Sequence, residues 1–476
     1  MTGSRTVEQT FDTVLDGQER ARRGARAAEA ARRLAGEDIA AVALTWVDVS
    51  GITRTKTVPV GRLEHAATWG VGMSPVFDAF LLDDSIVSGR HVGGPVGDLR
   101  LHPDLDRLVP LAALPGWAHA PADRYGQDGA VHPLDGRALL RRETARLAAG
   151  GWTARTAFEI EWAVSATPEE FTPACHGPAY GMTRVSELAG YLRALLNALD
   201  RTGVSVEQLH PEYAAGQYEV SVAAEDPVGA ADTAVLVRET IRAVTLEHGM
   251  HASFSPKVVA GSVGNGAHVH LSLWREGTGD GPENAMAGGP GPYGMTDAGQ
   301  AFAAGILDRL PALLAIGAPS VASYLRLVPS HWAGAFACWG LENREAALRF
   351  VTGAEGERDR AANLEIKCFD AAANPYLALA ALLAAGRAGL DAGSALPDPV
   401  EADPAGLSDE ERAARGLRPL PASLAEAVAV FEEDAVLRDA LGEAVTDTVA
   451  AVRRGEVALF DGATPEEIAA ATRWRH

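Results

Sequence analysis

Apolar and polar residues alternate along residues 157–164, so a strand would place Phe158, Ile160, Trp162 and Val164 on one face and Glu159, Glu161 and Ala163 on the other. Three more segments repeat this pattern. Residues 267–274 set His268, His270, Ser272 and Trp274 against Ala267, Val269, Leu271 and Leu273. Residues 216–222 set Gln217, Glu219 and Ser221 against Tyr218, Val220 and Val222, and residues 363–368 set Asn363, Glu365 and Lys367 against Leu364, Ile366 and Cys368. The period changes to that of helices before them at residues 138–150, between them at 185–199 and 230–249, and after them over 426–452.

The first 36 residues read as a solvated helix. Residues 39–48 and 53–60 flank a Val-Ser-Gly turn and predict a strand pair that opens a small β-rich unit. A stretch rich in Pro, Gly and Asp from His102 to Pro133 holds the expected domain boundary. The division is 1–36 for the helix, 37–118 for the small domain and 119–476 for a large α+β domain, with a loop at about 392–421.

Composition narrows the partners. A net charge of −21 over 476 residues disfavours nucleic acid or an anionic membrane as partner. Cys175, Cys338 and Cys368 are too widely spaced for a disulfide framework or a thiolate zinc site, which fits a reducing cytoplasm. The N-terminal residues lack the apolar core of a signal peptide. The longest apolar run, from Leu377, is far shorter than the roughly 20 residues a membrane span needs.

Taken singly, a strand with glutamates on one face is an amphipathic strand in water, and a His-x-His strand is more often structural than a ligand site. Four such strands together point to one polar cavity. Carboxylates sharing it would raise one another's pKa unless cations neutralise them, and mostly glutamate oxygens with one imidazole suit Mg²⁺ or Mn²⁺. Phosphoryl transfer is the chemistry that most often uses such a cluster.

In this order the segments FEIEW, EYAAGQYE, NGAHVHLSLW, SYLRLVPSHWAGAFACWGLENREAALRF and NLEIKCFDAAANPYLALAALLAAG resemble the glutamine synthetase family over nearly the whole chain. The resemblance implies a small β-grasp-like N-terminal domain and a catalytic domain with a curved antiparallel sheet flanked by helices. It implies that Glu161, Glu212 and Glu219 hold the metal that orients the acceptor carboxylate, and that Glu159, His268 and Glu365 hold the metal that bridges the phosphates of ATP. By the same resemblance Arg326 and Gly264 bind glutamate, and Arg344 and Arg349 neutralise the transferring phosphoryl group. His270, Ser272 and Arg360 lie with the nucleotide, Tyr180 near the amine, and Asp78 is supplied by a neighbouring subunit. Family members form stacked rings, so self-association into a dodecamer is expected.

The departures concern the amine. Where the family has a glutamate that captures ammonium, this chain has Trp332, and the last ligand strand reads Asn363, Glu365, Lys367 in place of Arg-x-Glu-x-Arg. Val263 replaces an asparagine five residues before the ligand histidine, with Asn265 nearby. The resemblance is then to ligases that make γ-glutamylamides from organic amines, ethanolamine first and polyamines second. A true glutamine synthetase and a non-catalytic ring of the same fold are the competing readings.

Overall fold

The computed structural model describes residues 14–277 and 281–476. The N-terminal helix runs Gly17–Gly36, capped by Asp16, whose side chain accepts from Glu19 N. The first part of the helix predicted from residue 1 lies outside the described residues.

Two sheets follow. The first contains β1 (Ala41–Val47), β2 (Thr53–Pro59), β3 (Val71–Met73), β4 (Leu99–Pro103), β5 (Val109–Pro110) and β6 (Trp117–Gly126) in the order β2-β1-β6-β4-β3, with β5 beside β6. β1 and β6 are parallel and the other pairings antiparallel. Since β6 ends at Gly126, this sheet crosses the boundary expected at 118. Its Pro, Asp and Gly residues made a strand look like a linker.

The second sheet is the large one. Its strands are β7 (Thr153–Ser165), β8 (Val206–Pro211), β9 (Gln217–Val222), β10 (His251–Ser253), β11 (Ala267–Arg275), β12 (Glu283–Asn284), β13 (Phe336–Leu341), β14 (Ala346–Val351), β15 (Asn363–Ile366) and β16 (Arg418–Pro419). The order is β16-β13-β14-β15-β11-β7-β9-β8, with β10 on β7 and β12 on β11. All pairings are antiparallel except β13 with β14. The four segments with alternating polarity are neighbours in it, β15-β11-β7-β9, although they are far apart in sequence.

Helices cover the apolar face of this sheet, making an α+β fold. Asp297–Gly317 and Pro375–Ala392 pack most closely, because a Cβ on Gly305 or Gly389 would meet the facing backbone at 2.3 Å or 2.1 Å. Asp297–Gly317 is long and apolar enough to span a membrane, yet here it is a core helix, with Phe302, Ile306, Leu310 and Leu313 fully buried. Asn374 caps Pro375–Ala392 and also donates to Val47 O and Asp48 O, tying β1 to the large unit. Arg137 ties β6 to it in turn, pairing with Asp123 on β6, with Asp104 just after β4 and with Asp232. The loop expected at 392–421 is irregular except for a 3-10 turn, Pro404–Gly406, a short helix, Asp409–Ala414, and β16. All three cysteines are buried and free.

Candidate active site

The polar face of the large sheet opens into a cavity of about 1220 Å³. Register decides what meets there: His268 faces Glu159, His270 faces Glu365, Glu161 faces Glu219 and Arg349 faces Glu365. His268 Nδ1 lies 2.8 Å from Glu159 Oε1 and 3.3 Å from Glu365 Oε1, and its Nε2 lies 3.8 Å from Glu161 Oε1. Arg326 Nη2 donates to His268 Nε2 at 3.1 Å, so that nitrogen accepts and Nδ1 carries the proton toward Glu159.

Three triads in the cavity have ligand atoms close enough for one cation each. They are Glu159, His268 and Glu365; Glu161, Glu219 and His268; and His210, Glu212 and Glu219, each within 4.8 Å. The first is the triad expected for the metal at the ATP phosphates. In the expected set of Glu161, Glu212 and Glu219, Glu219 is the common member: it joins Glu161 in one triad and Glu212 in another. Oxygen-rich donors of this kind fit a divalent cation such as Mg²⁺ or Mn²⁺.

Electrostatics agrees with that fit. Burial, reinforced by Glu159, Glu161 and Glu212, pushes Glu219 up to about 8 against the pull of its His210 hydrogen bond. Burial also raises Glu161, with Glu212 adding to it. On the other side, His268 and His270 overcome burial and hold Glu159 well below the usual carboxylate range, and Lys367 with both histidines brings Glu365 to about 2. A carboxylate whose folded pKa lies near 8 rather than 4.5 makes the folded state progressively less stable as pH rises between those values. Glu219→Gln is therefore expected to raise the metal-free melting temperature relative to wild type, more at pH 8 than at pH 5, with Mg²⁺ narrowing the gap; an equal gap at both pH values would contradict it.

Two glycines make room for this arrangement. A Cβ at Gly264 would strike Pro256 O at 2.4 Å and Arg326 Cγ at 2.6 Å, and one at Gly266 would strike His268 Nε2 at 2.4 Å. The Gly266 amide also donates to Glu161 Oε2 at 2.9 Å. Gln217 Nε2 lies within hydrogen-bonding distance of Glu161 Oε2, Gly264 O and Asn265 Oδ1. Asn265, offered by sequence as a stand-in for the missing asparagine, is spent on this network and on Ser253 O and Ser255 O.

The catalytic domain of glutamine synthetase matches residues 133–470 of the chain. The chain belongs to the glutamine synthetase family. It is a carbon–nitrogen ligase, and it is 55% identical to γ-glutamylpolyamine synthetase GlnA3 of Streptomyces coelicolor over 95% of this chain and 97% of that one. Among solved structures, a glutamine synthase homologue superposes with a TM-score of 0.79 at 34% identity, covering 90% of this chain and 97% of the other. A GmaS/ADP complex does so with 0.78 at 27% identity, over 91% and 96%.

Most residues expected in the ligase's site do come together. Glu159, Glu161, Glu212, Glu219, His268, His270, Gly264, Arg326, Arg344, Arg349, Tyr180 and Trp332 line the cavity, and Glu365 is buried directly behind, held by Arg349 at 2.8 Å and Lys367 at 2.9 Å. Three others do not line it. Ser272 accepts from Trp274 Nε1 at 2.8 Å and is buried away from the cavity. Arg360 sits exposed on the short helix Arg358–Ala361. Asp78 is 1% exposed and paired with Arg124 Nη1 at 2.6 Å.

The cavity also holds groups that site reasoning from sequence passed over. His210 pairs with Glu219 at 2.9 Å, and Gln217 and Lys257 line the wall. His210 and Gln217 share faces with Glu212 and Glu219 in the alternation, a signal that was available.

The mouth is shaped by strained backbone. Tyr180, Ser330 and Trp332 line the cavity with φ of 56°, 58° and 55°, and Glu342, partner of Arg349, has φ 50°. Each left-handed non-glycine residue costs about 1 to 3 kcal/mol, so these rings and hydroxyls are held by their surroundings. Buried Glu345 does part of this by accepting the Trp332 amide at 2.8 Å.

Proposed function

We propose that the ligase joins the γ-carboxylate of glutamate to a polyamine, converting ATP to ADP and phosphate. The 55% identity to a γ-glutamylpolyamine synthetase over nearly the full length of both chains carries this reading. It puts polyamines ahead of ethanolamine. The residues that pointed to ethanolamine are engaged elsewhere: Asn363 Oδ1 bonds His270 Nδ1 at 2.9 Å and Lys367 Nζ bonds Glu365. They organise the ligand strand rather than the amine pocket.

In this reading Arg326 takes the α-carboxylate of glutamate, and Glu159, Glu161, Glu212, Glu219, His268 and Glu365 hold the divalent cations. The cations would neutralise the phosphates and the carboxylate cluster. Arg344 and Arg349 stabilise the charge on the γ-phosphoryl group as a γ-carboxylate oxygen attacks phosphorus and ADP leaves. The amine nitrogen then attacks the acyl carbon, phosphate departs, and the amine's proton passes to a base in the cavity. Asp78, masked by Arg124, is not the base this reading uses. Assembly into rings, a dodecamer by the family's habit, and a cytoplasmic location belong to the same proposal; exposed Trp69, Ile86 and Val96 offer apolar contact surface for association.

The acyl phosphate makes the reading testable. ATP labelled in the β,γ-bridge oxygen is expected to show positional isotope exchange with glutamate and Mg²⁺ before any amine is added, and phosphate release is expected to follow polyamine addition. AMP as product, or exchange only once amine is present, would overturn it.

A further inference from the structure

Of the 42 basic side chains of Lys and Arg type, only Lys56, Lys257 and Lys367 are lysines, and the last two line the same cavity. Lys367 is accounted for by Glu365. Lys257 is not: it is 5% exposed, its Nζ donates to Ser262 O, and among the described residues no carboxylate oxygen lies within 4.0 Å of it. Arg326 is near enough for its charge, after burial, to push the Lys257 ammonium further down. Arg326 itself is 5% exposed, with Nη1 buried and without a partner. Its carboxylate neighbours Glu161 and Asp370 act on it only from beyond ion-pair distance.

Two buried cationic side chains thus line one cavity, neither with a carboxylate within ion-pair distance among the described residues. Pinning the loop through Ser262 O requires a donor but no charge, and a neutral donor would avoid the cost of burying an ammonium. The charge makes sense if an anion arrives with the substrate. The wall is the one where Gly264 admits the Arg326 stem, in the loop that Lys257 begins, so the anion is the one Arg326 takes. We propose that Lys257 is a second cation of the acceptor subsite, sharing the α-carboxylate of glutamate with Arg326. This rests on the assignment of glutamate as acceptor.

The test is a cycle between the side chain and the substrate group. Glutamate and 4-aminobutyrate, which lacks only the α-carboxylate, are compared as acceptors for wild type, Lys257→Met and Lys257→Gln. Glutamine retains a donor for Ser262 O, so it separates charge from loop pinning and serves if the methionine variant fails to fold. With glutamate, kcat/KM is expected to fall about ten- to a hundred-fold, through KM, as for loss of a charge-assisted hydrogen bond. With 4-aminobutyrate the variants are expected to match wild type, and the KM for ATP to stay unchanged. Equal losses with both acceptors would overturn the proposal. Wild-type protein that does not prefer glutamate to 4-aminobutyrate would instead overturn the acceptor assignment.

Discussion

Glu161→Ala and Glu219→Ala are each expected to lower turnover by about three orders of magnitude or more while leaving a folded protein. Losing one ligand of a cation that positions and polarises the acceptor removes several kcal/mol of transition-state stabilisation, and each tenfold in rate corresponds to about 1.4 kcal/mol. Stability should move the other way. Both carboxylates are buried with pKa values raised by that burial and by neighbouring glutamates, so their removal relieves the cost of a buried charge and the repulsion in the metal-free state. Thermal melts with and without Mg²⁺ separate the effects: wild type should gain a large increment from the cation, and either variant a much smaller one. A variant that keeps near-normal kcat, or the full Mg²⁺ increment, would remove that residue from the metal site.

The ligand face was legible because strand alternation is a local property. Glu159 and Glu161 must share a side of β7 whatever the rest of the chain does, and burying Phe158, Ile160 and Trp162 fixes which side. The neighbour order β15-β11-β7-β9 is not local; it is seen only in the folded sheet, where the register sets His268 against Glu159. What misled were partners distant in sequence. Nothing near Asp78 announces Arg124, 46 residues on, and the parallel pairing of β13 with β14 across a tight connection has no periodic signature. Ser272 stands off the cavity for a nearer reason: its hydroxyl accepts from Trp274, two residues away on the same face. Lys257 had only a compositional signal, the scarcity of lysine, which acquires meaning once the cavity wall is seen.

Trp332 is expected to make the ligase prefer polyamines to ammonium. The residue is 54% exposed at the cavity mouth, with its backbone held by Glu345 and the Arg344 guanidinium 5.9 Å from the ring centroid. Exposed Tyr180 and Tyr213 line the same cavity. Ammonium would need acceptors to replace its water shell, and indole offers none. An alkylammonium can instead lay its methylenes along the ring and set a charged end on an aromatic face, a contact of about 0.5 to 2 kcal/mol. Trp332→Ala is therefore expected to lower kcat/KM for putrescine or spermidine by about two- to thirty-fold with the KM for ATP unchanged. Trp332→Glu supplies the missing carboxylate, but beside Arg344, which will share it. The ratio of specificity constants should shift toward ammonium without reaching parity, and Trp332→Glu with Arg344→Gln would test that restraint only at the expense of the phosphoryl-transfer step. Measured over ammonium, ethanolamine, putrescine and spermidine, wild-type protein should rank the polyamines first. If glutamine forms as fast as any amide in that panel, the indole does not select the amine and the chain is a glutamine synthetase in activity as well as in family.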